Sequence, residues 1–164
     1  IIRGLVGSEM CIRDRYTVGD ISVKSKKLIN VTYESLNRAI KILKPGKRIG
    51  DIGHEIQSFV EKNGFSVVRD FCGHGIGTNF HQEPNILHYG SKDTGDELKP
   101  GMTFTIEPMI NAGKYHTKVL NDGWTAVTKD KSLSAQFEHT LGITEDSYEI
   151  FTESVKEYRK PPYN

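Results

Sequence analysis

Residues 71–84, FCGHGIGTNFHQEP, hold two histidines seven positions apart, His74 and His81, with glycines at 73, 75 and 77 around the first. Each glycine costs roughly 0.5–1 kcal/mol relative to alanine inside a helix or a central strand. Local preference for secondary structure therefore does not explain this composition. Something other than local stability must hold the segment in place.

Two helices are predicted before this segment. The first starts at Leu28 and carries the apolar residues Ile29, Tyr33, Leu36, Ile40 and Leu43. Their spacings alternate between four and three, which is typical of one helix face, and Pro45 and Gly46 end the pattern. The second carries Ile52, Ile56, Phe59 and Val60. We expect Asp51 to cap its start and Asn63 with Gly64 to end it in a left-handed turn.

Strands are predicted on both sides of the glycine-rich segment. Residues 65–69 (FSVVR), 124–128 (WTAVT) and 133–144 (LSAQFEHTLGIT) are of this type. In residues 102–107, Met102, Phe104 and Ile106 alternate with Thr103, Thr105 and Glu107. Glu107 is therefore predicted on the polar face of its strand. Glu138 likewise faces away from the side that carries Phe137, His139 and Leu141.

One histidine and two strand glutamates, His74, Glu107 and Glu138, form the candidate site. Two like charges about 4 Å apart repel by roughly 4 kcal/mol at the effective dielectric near a protein surface. If the strands pack together, these carboxylates need protons or a cation between them. One imidazole with carboxylates suits Mn, Fe, Co or Zn and disfavours a thiolate-type site.

Each of these residues also has an ordinary structural interpretation. A lone histidine is usually a satisfied polar residue, and a strand glutamate usually faces solvent. His54, His88 and His116 have no acidic partner in a recognisable pattern, and we do not assign them to the site. Cys72 is expected to be a small buried residue. Phe80 and Trp124 would by default be core aromatics.

The composition limits the class of protein. The chain has 164 residues, which suits one domain with one core. Its 22 basic residues nearly balance 21 acidic ones, and no basic run is interleaved with aromatics, so a nucleic-acid partner is not expected. No apolar run has the length of a membrane span. The two cysteines lack CxxC spacing, which favours a reducing compartment, and we expect a cytoplasmic protein.

Four stretches resemble the type I methionine aminopeptidases in order and in separation. These stretches are ESLNRAIKILKPG, FCGHGIGTNFHQEP, LKPGMTFTIEPMINAGK and DGWTAVTKDKSLSAQFEHT. The resemblance runs from about Val18 to Thr152. It implies the α+β pita-bread fold of the creatinase and aminopeptidase type, in which two related halves enclose a metal site between curved antiparallel strands. It also implies removal of the initiator methionine from nascent proteins.

The resemblance also assigns residues to the metal site. His74, Glu107 and Glu138 match ligands of two divalent ions (Mn, Fe, Co or Zn), and Glu138 is expected to bridge both. His81 matches a catalytic histidine that contacts the scissile amide and stabilises the tetrahedral intermediate. Glu107 is expected to relay protons during metal-assisted hydrolysis.

Further residues match the substrate and cation sites of the family. Phe80, His81 and Trp124 match substrate-binding residues, the two aromatics lining the methionine side-chain pocket. Ser134 matches a residue that lends an oxygen to a structural monovalent cation. The implied partners are N-terminal methionine peptides of nascent proteins, with ribosome association. The implied state is a monomer without a membrane or nucleic-acid substrate.

The resemblance fails near the start of the chain. The family has two further aspartate ligands, and counting back from Val18 places one at Cys11 and the other before residue 1. Asp14 and Asp20 lie out of register, which turns their side chains to the wrong face of a strand. We interpret residues 1–15 as a foreign segment, residues 16–152 as the C-terminal part of an incomplete catalytic domain, and residues 153–164 as a solvated tail. We therefore expect loosely held metal and little activity.

Two alternatives stay open from the sequence. Another pita-bread peptidase, an Xaa-Pro aminopeptidase or prolidase, shares the ligand set, although TFTIEP and FHQEP favour the methionine enzyme. A metal-free pita-bread module could instead use the cleft to hold protein or RNA. Such a module has little reason to keep a histidine and two glutamates at ligand positions.

Overall fold

A computed structural model describes residues 11–153. Its first helix, α1, spans Val23–Lys41. It begins five residues before Leu28, where the apolar pattern placed its start, because the Ser22 side chain caps it by accepting from the backbone N–H of Ser25 at 3.1 Å. The buried face includes Leu28, Leu36 and Ile40.

The second helix, α2, spans Ile49–Lys62. The prediction that Asp51 caps its start is wrong by three residues, since Arg48 occupies the cap. Asp51 lies in the first turn, and its carboxylate accepts from the backbone N–H of Arg48 at 2.9 Å. At the other end Gly64 has a φ of +81°, which confirms the predicted left-handed turn.

The described residues also form ten short strands. These are β1 (Ser66–Val67), β2 (Gly73–Gly75), β3 (Gln82–Ile86), β4 (Thr103–Ile106), β5 (Met109–Asn111), β6 (Thr117–Val119), β7 (Ala126–Thr128), β8 (Ser134–Gln136), β9 (His139–Ile143) and β10 (Tyr148–Ile150). The pairings seen between them are antiparallel. They give a five-stranded sheet in the order β10-β9-β4-β2-β3, a three-stranded sheet β1-β5-β8 and a β6-β7 hairpin.

The strand predictions were correct in type and too long in extent. Only Ser66–Val67 of residues 65–69 and Ala126–Thr128 of residues 124–128 pair as strands. Residues 133–144 divide into β8 and β9, with Phe137 and Glu138 at the junction. The α+β class is confirmed by two helices packed with these antiparallel sheets.

The core lies between the helices and the two larger sheets. Phe104, Ile106 and Ile110 are fully buried, and Tyr33 of α1 meets the ring of Phe137 edge-on at 5.4 Å between centroids. Burial of Phe104 and Ile106 confirms the apolar face predicted for their strand and leaves Glu107 on the other face. Neither helix in residues 11–153 has the length and apolar character needed to cross a membrane. The tail predicted at residues 153–164 lies outside the described residues, except for residue 153.

Candidate metal centre

The glycines around His74 are explained by the close approach of neighbouring strands. β2 lies between β3 and β4, and a Cβ at Gly73 would overlap the carbonyl oxygen of Thr105. A Cβ at Gly75 would overlap the carbonyl oxygen of Glu83. Only glycine leaves room for both neighbours, so this composition sets His74 into the middle of a tightly packed sheet.

His74 presents its Nε2 atom to the site. Its Nδ1 lies 3.0 Å from the carbonyl oxygen of Gly75, which can only accept, so the proton is on Nδ1 and the lone pair is on Nε2. Thr105 Oγ1 accepts from the backbone N–H of His74 at 3.0 Å. Nε2 lies 4.0 Å from Glu107 Oε1 and 3.8 Å from Cys11 Sγ. The imidazole is therefore oriented as a ligand before any ion binds.

Glu107 follows β4 and is held on several sides. Its carboxylate accepts from Thr105 Oγ1 at 2.9 Å and from Gln136 Nε2 at 3.1 Å. Its backbone N–H donates to Nε2 of the buried His88 at 3.0 Å. Burial raises the pKa of Glu107 to about 7, and the nearby negative charge of Glu138 adds to the rise.

Glu138 lies immediately before β9 and is buried. Burial raises the pKa of its carboxyl, opposed by the positive charge of Arg13. Ionisation of these two carboxyl groups is thus unfavourable in the folded chain, as expected from the sequence. A cation placed between them would relieve it.

Cys11 joins this cluster from the start of the described chain. A ligand atom from each of Cys11, His74 and Glu138 lies within 4.8 Å of the others. Burial, followed by the charges of Glu138 and Glu107, raises the pKa of the Cys11 thiol to about 11. The residues used for the sequence prediction offered no sulfur donor, and the structure adds one. The sequence already pointed to this position, since counting back along the family pattern placed an aspartate ligand at Cys11.

The rings of Phe80 and His81 lie beside His74. The centroid of His81 is 4.2 Å from that of His74, and the centroid of Phe80 is 5.7 Å away. The default assignment of Phe80 and Trp124 to the core is wrong, because Phe80 is 38% exposed and Trp124 is 88% exposed. Trp124 lies in the turn between β6 and β7, where the Asp122 carboxylate accepts from its backbone N–H.

The remaining residues considered from the sequence are not among the clustered donor atoms. Ser134 is exposed at the start of β8, opposite Asn111 of β5. Cys72 is only partly buried, and its thiol lies 3.6 Å from Asn85 Oδ1. His54 lies 3.3 Å from Ser58 Oγ on α2, and His116 stacks on Tyr115.

Two supporting residues, His88 and Gln136, were missed from the sequence. His88 was set aside because it has no acidic neighbour in the chain, yet it is buried behind Glu107. Its position two residues after the buried Ile86 was the available signal, since alternate residues of a strand share a face. Gln136 was not singled out from the sequence, and its side-chain amide donates to the Glu107 carboxylate.

The antiparallel sheets and the clustered donors define a protein with a pita-bread fold and a candidate divalent-metal site. The sequence model of metallopeptidase family M24 matches residues 10–145. The chain belongs to this family, whose members use divalent metal.

Characterised relatives are methionine aminopeptidases. The enzyme of Rickettsia prowazekii is 57% identical over 149 residues, which cover 90% of this chain and 58% of the relative. That of Escherichia coli K12 is 54% identical over 137 residues, covering 84% and 52%. The crystal structure of methionine aminopeptidase from Thermotoga maritima, 50% identical, superposes with a TM-score of 0.82 over 84% of this chain and 55% of that one. The chain thus spans about half the length of the curated relatives that it matches.

Proposed function

We propose that this chain carries the histidine and glutamate ligands of a metallopeptidase that removes N-terminal methionine from peptides. The observation that carries the proposal is the convergence of His74, Glu107 and Glu138 from three separate segments. The relatives that are 57% and 54% identical to this chain are named methionine aminopeptidases. A metal-free binding module has no need for such a cluster of buried charges.

The donor set fits a divalent ion. His74 offers an unprotonated Nε2, and Glu107 and Glu138 offer carboxylate oxygens, with the pKa of Glu107 raised by burial and further by the negative charge of Glu138. A bound divalent ion would polarise the peptide carbonyl and lower the pKa of the attacking water. Two such ions are the stoichiometry that the resemblance implies, with Glu138 shared between them. One of these two ions would be surrounded by His74, Glu107 and Glu138, with Cys11 beside them.

The remaining residues have separate roles in the proposal. Glu107 carries a proton from water toward the departing amine, and Thr105 and Gln136 fix its carboxylate for that transfer. His81, next to His74, donates a hydrogen bond to the oxygen that becomes negative as the amide carbon turns tetrahedral. The partly exposed ring of Phe80 offers an apolar surface to the methionine side chain.

Three further assignments rest on the resemblance. Trp124, exposed on the β6–β7 hairpin, would close the methionine pocket from the outside. Ser134 would lend an oxygen to a monovalent cation. The protein would act as a cytoplasmic monomer on nascent chains, with ribosome association, and both cysteines of the described chain are free, as a reducing compartment requires.

The test is release of free methionine from a Met-Gly-Met peptide by the purified chain with added Mn²⁺ or Co²⁺. We expect slow release that requires the metal, because Cys11 stands where the family has an aspartate. His81→Ala should remove the activity, whereas His116→Ala, which alters a histidine outside the cluster, should keep it. Equal rates in His81→Ala, or faster cleavage of an Xaa-Pro peptide, would overturn the proposal.

A further inference from the structure

Cys11 places a sulfur atom where the resemblance implies an oxygen ligand. We propose that Cys11, His74 and Glu138, with Glu107 as fourth donor, bind one divalent ion of the zinc class through a cysteine thiolate. The sulfur would shift the preference of this site from Mn²⁺ toward Zn²⁺, Co²⁺ and Cd²⁺. This inference rests on the metal site of the proposed function and deepens it. It does not require the chain to hydrolyse peptides.

The distances between the donor atoms suit a tetrahedral ion. Bond lengths of about 2.3 Å for zinc to sulfur and about 2.05 Å for zinc to nitrogen place the two donors about 3.6 Å apart in a tetrahedron. Cys11 Sγ and His74 Nε2 are separated by 3.8 Å. The same calculation gives about 3.4 Å for a nitrogen and an oxygen donor, and His74 Nε2 lies 4.0 Å from Glu107 Oε1. The sulfur–nitrogen pair needs to close by about 0.2 Å and the nitrogen–oxygen pair by about 0.6 Å.

The backbone holds Cys11 against the strand that carries Glu138. Arg13 and Glu138 form a two-way antiparallel bridge, with N–H to oxygen distances of 3.3 Å from Arg13 and 3.0 Å from Glu138. Thr140 Oγ1 donates to the carbonyl oxygen of Cys11 at 2.9 Å. The backbone at Cys11 and Arg13 is therefore held by three hydrogen bonds, two between main-chain groups and one from the Thr140 side chain.

The partners of the other donors are already in place. Gly75 fixes the tautomer of His74, and Thr105 and Gln136 hold the carboxylate of Glu107. Such supporting contacts orient ligands and strengthen metal binding. Arg13 is the competing source of positive charge near the two glutamates. Arg13 does not take the place of an ion. Among residues 11–153, its guanidinium forms no ion pair within 4.0 Å with Glu107 or Glu138, whereas His74 Nε2 lies 4.0 Å from Glu107 Oε1.

The chemistry of sulfur sets the metal preference. Thiolates favour Zn²⁺ and other soft or borderline ions, whereas Mn²⁺ favours oxygen ligands. Binding breaks the S–H bond of Cys11 and forms a metal–sulfur bond, and the proton leaves to the buffer. No change of oxidation state occurs.

The test is titration of the chelator-treated full chain with Co²⁺ under a phosphine reductant, followed by absorption spectroscopy. One equivalent should produce the intense near-ultraviolet band of a thiolate bound to cobalt. Cys11→Ser should abolish the band and weaken Zn²⁺ binding by at least about tenfold. Cys72→Ser is the matched control, because this second thiol is not in the group of donor atoms formed by Cys11, His74 and Glu138, and it should keep the band. Cys11→Asp should bind metal without the band and favour Mn²⁺ more than the parent does.

A measurement on the unaltered chain covers the case in which a variant fails to fold. X-ray absorption of the zinc-loaded protein should show one sulfur at about 2.3 Å together with nitrogen and oxygen neighbours. Zinc surrounded only by nitrogen and oxygen, a cobalt band that survives Cys11→Ser, or no metal binding would overturn this inference. A thiolate band without methionine release would leave it standing while contradicting the peptidase proposal.

Discussion

Replacement of Glu107 by glutamine tests the electrostatic cost of the cluster in the absence of metal. The Glu107 side chain is only 14% exposed, and its pKa is raised from 4.5 to about 7 by burial and by Glu138. A carboxyl with a raised pKa in the folded state favours folding at low pH. That contribution is lost as the pH rises from 4.5 to about 7, because the unfolded chain ionises first.

The magnitude follows from the size of the shift. Each pKa unit corresponds to about 1.4 kcal/mol, so ionised Glu107 costs the folded state about 3 kcal/mol above pH 7. Glu107→Gln removes this cost and keeps an acceptor oxygen for Thr105 or Gln136. We expect the variant to match the parent near pH 4.5 and to exceed it by about 3 kcal/mol at pH 8.

The assay is urea unfolding in EDTA at several pH values between 4.5 and 8. His88 also titrates with an altered pKa, but it is present in both proteins and cancels in the difference. Glu149→Gln is the control, because Glu149 lies exposed on β10. A difference between Glu107→Gln and the parent that stays constant with pH would show that neither burial nor Glu138 raises the pKa of Glu107 in the folded chain.

Two other substitutions test the surroundings of the cluster. Gly75→Ala should lower the free energy of unfolding in urea by about 1–3 kcal/mol, because the new methyl group meets the main chain of Glu83. A decrease below about 0.5 kcal/mol would contradict the close approach of the two strands. His88→Phe should remove a loss of stability at acid pH. Burial lowers the pKa of His88 to about 3, so the parent loses stability as the pH falls from 6.5 toward 3, where the unfolded chain takes up the proton. Thermal unfolding of both proteins from pH 4 to 7 checks this, and parallel curves would show that His88 is not buried as a neutral group.

Patterns within one segment predicted the fold well. Alternation placed Glu107 and Glu138 opposite the apolar rows of their strands, and helical spacing found α1 and α2. The start of α1 was missed because its first turn is exposed and carries little apolar periodicity, while Ser22 supplies the cap. The role of Asp51 was misread because a first-turn acid resembles a capping residue in sequence.

The features that the sequence did not reveal depend on contacts between distant segments. Cys11 and His74 are 63 residues apart, and only their spatial meeting shows that the thiol belongs to the cluster. His88 reaches the backbone of Glu107 from 19 residues away. Trp124 could not be placed from its residue type, because an aromatic side chain suits a core and an exposed hairpin turn alike.

We propose that one imidazole and two carboxylates from separate segments meet around a cation. Anomalous diffraction at the zinc absorption edge, from crystals of the chain grown with Zn²⁺, tests it most directly. We expect a zinc peak bonded to His74 Nε2 and to carboxylate oxygens of Glu107 and Glu138. Zinc bound elsewhere, with these three side chains directed to different parts of the molecule, would contradict it.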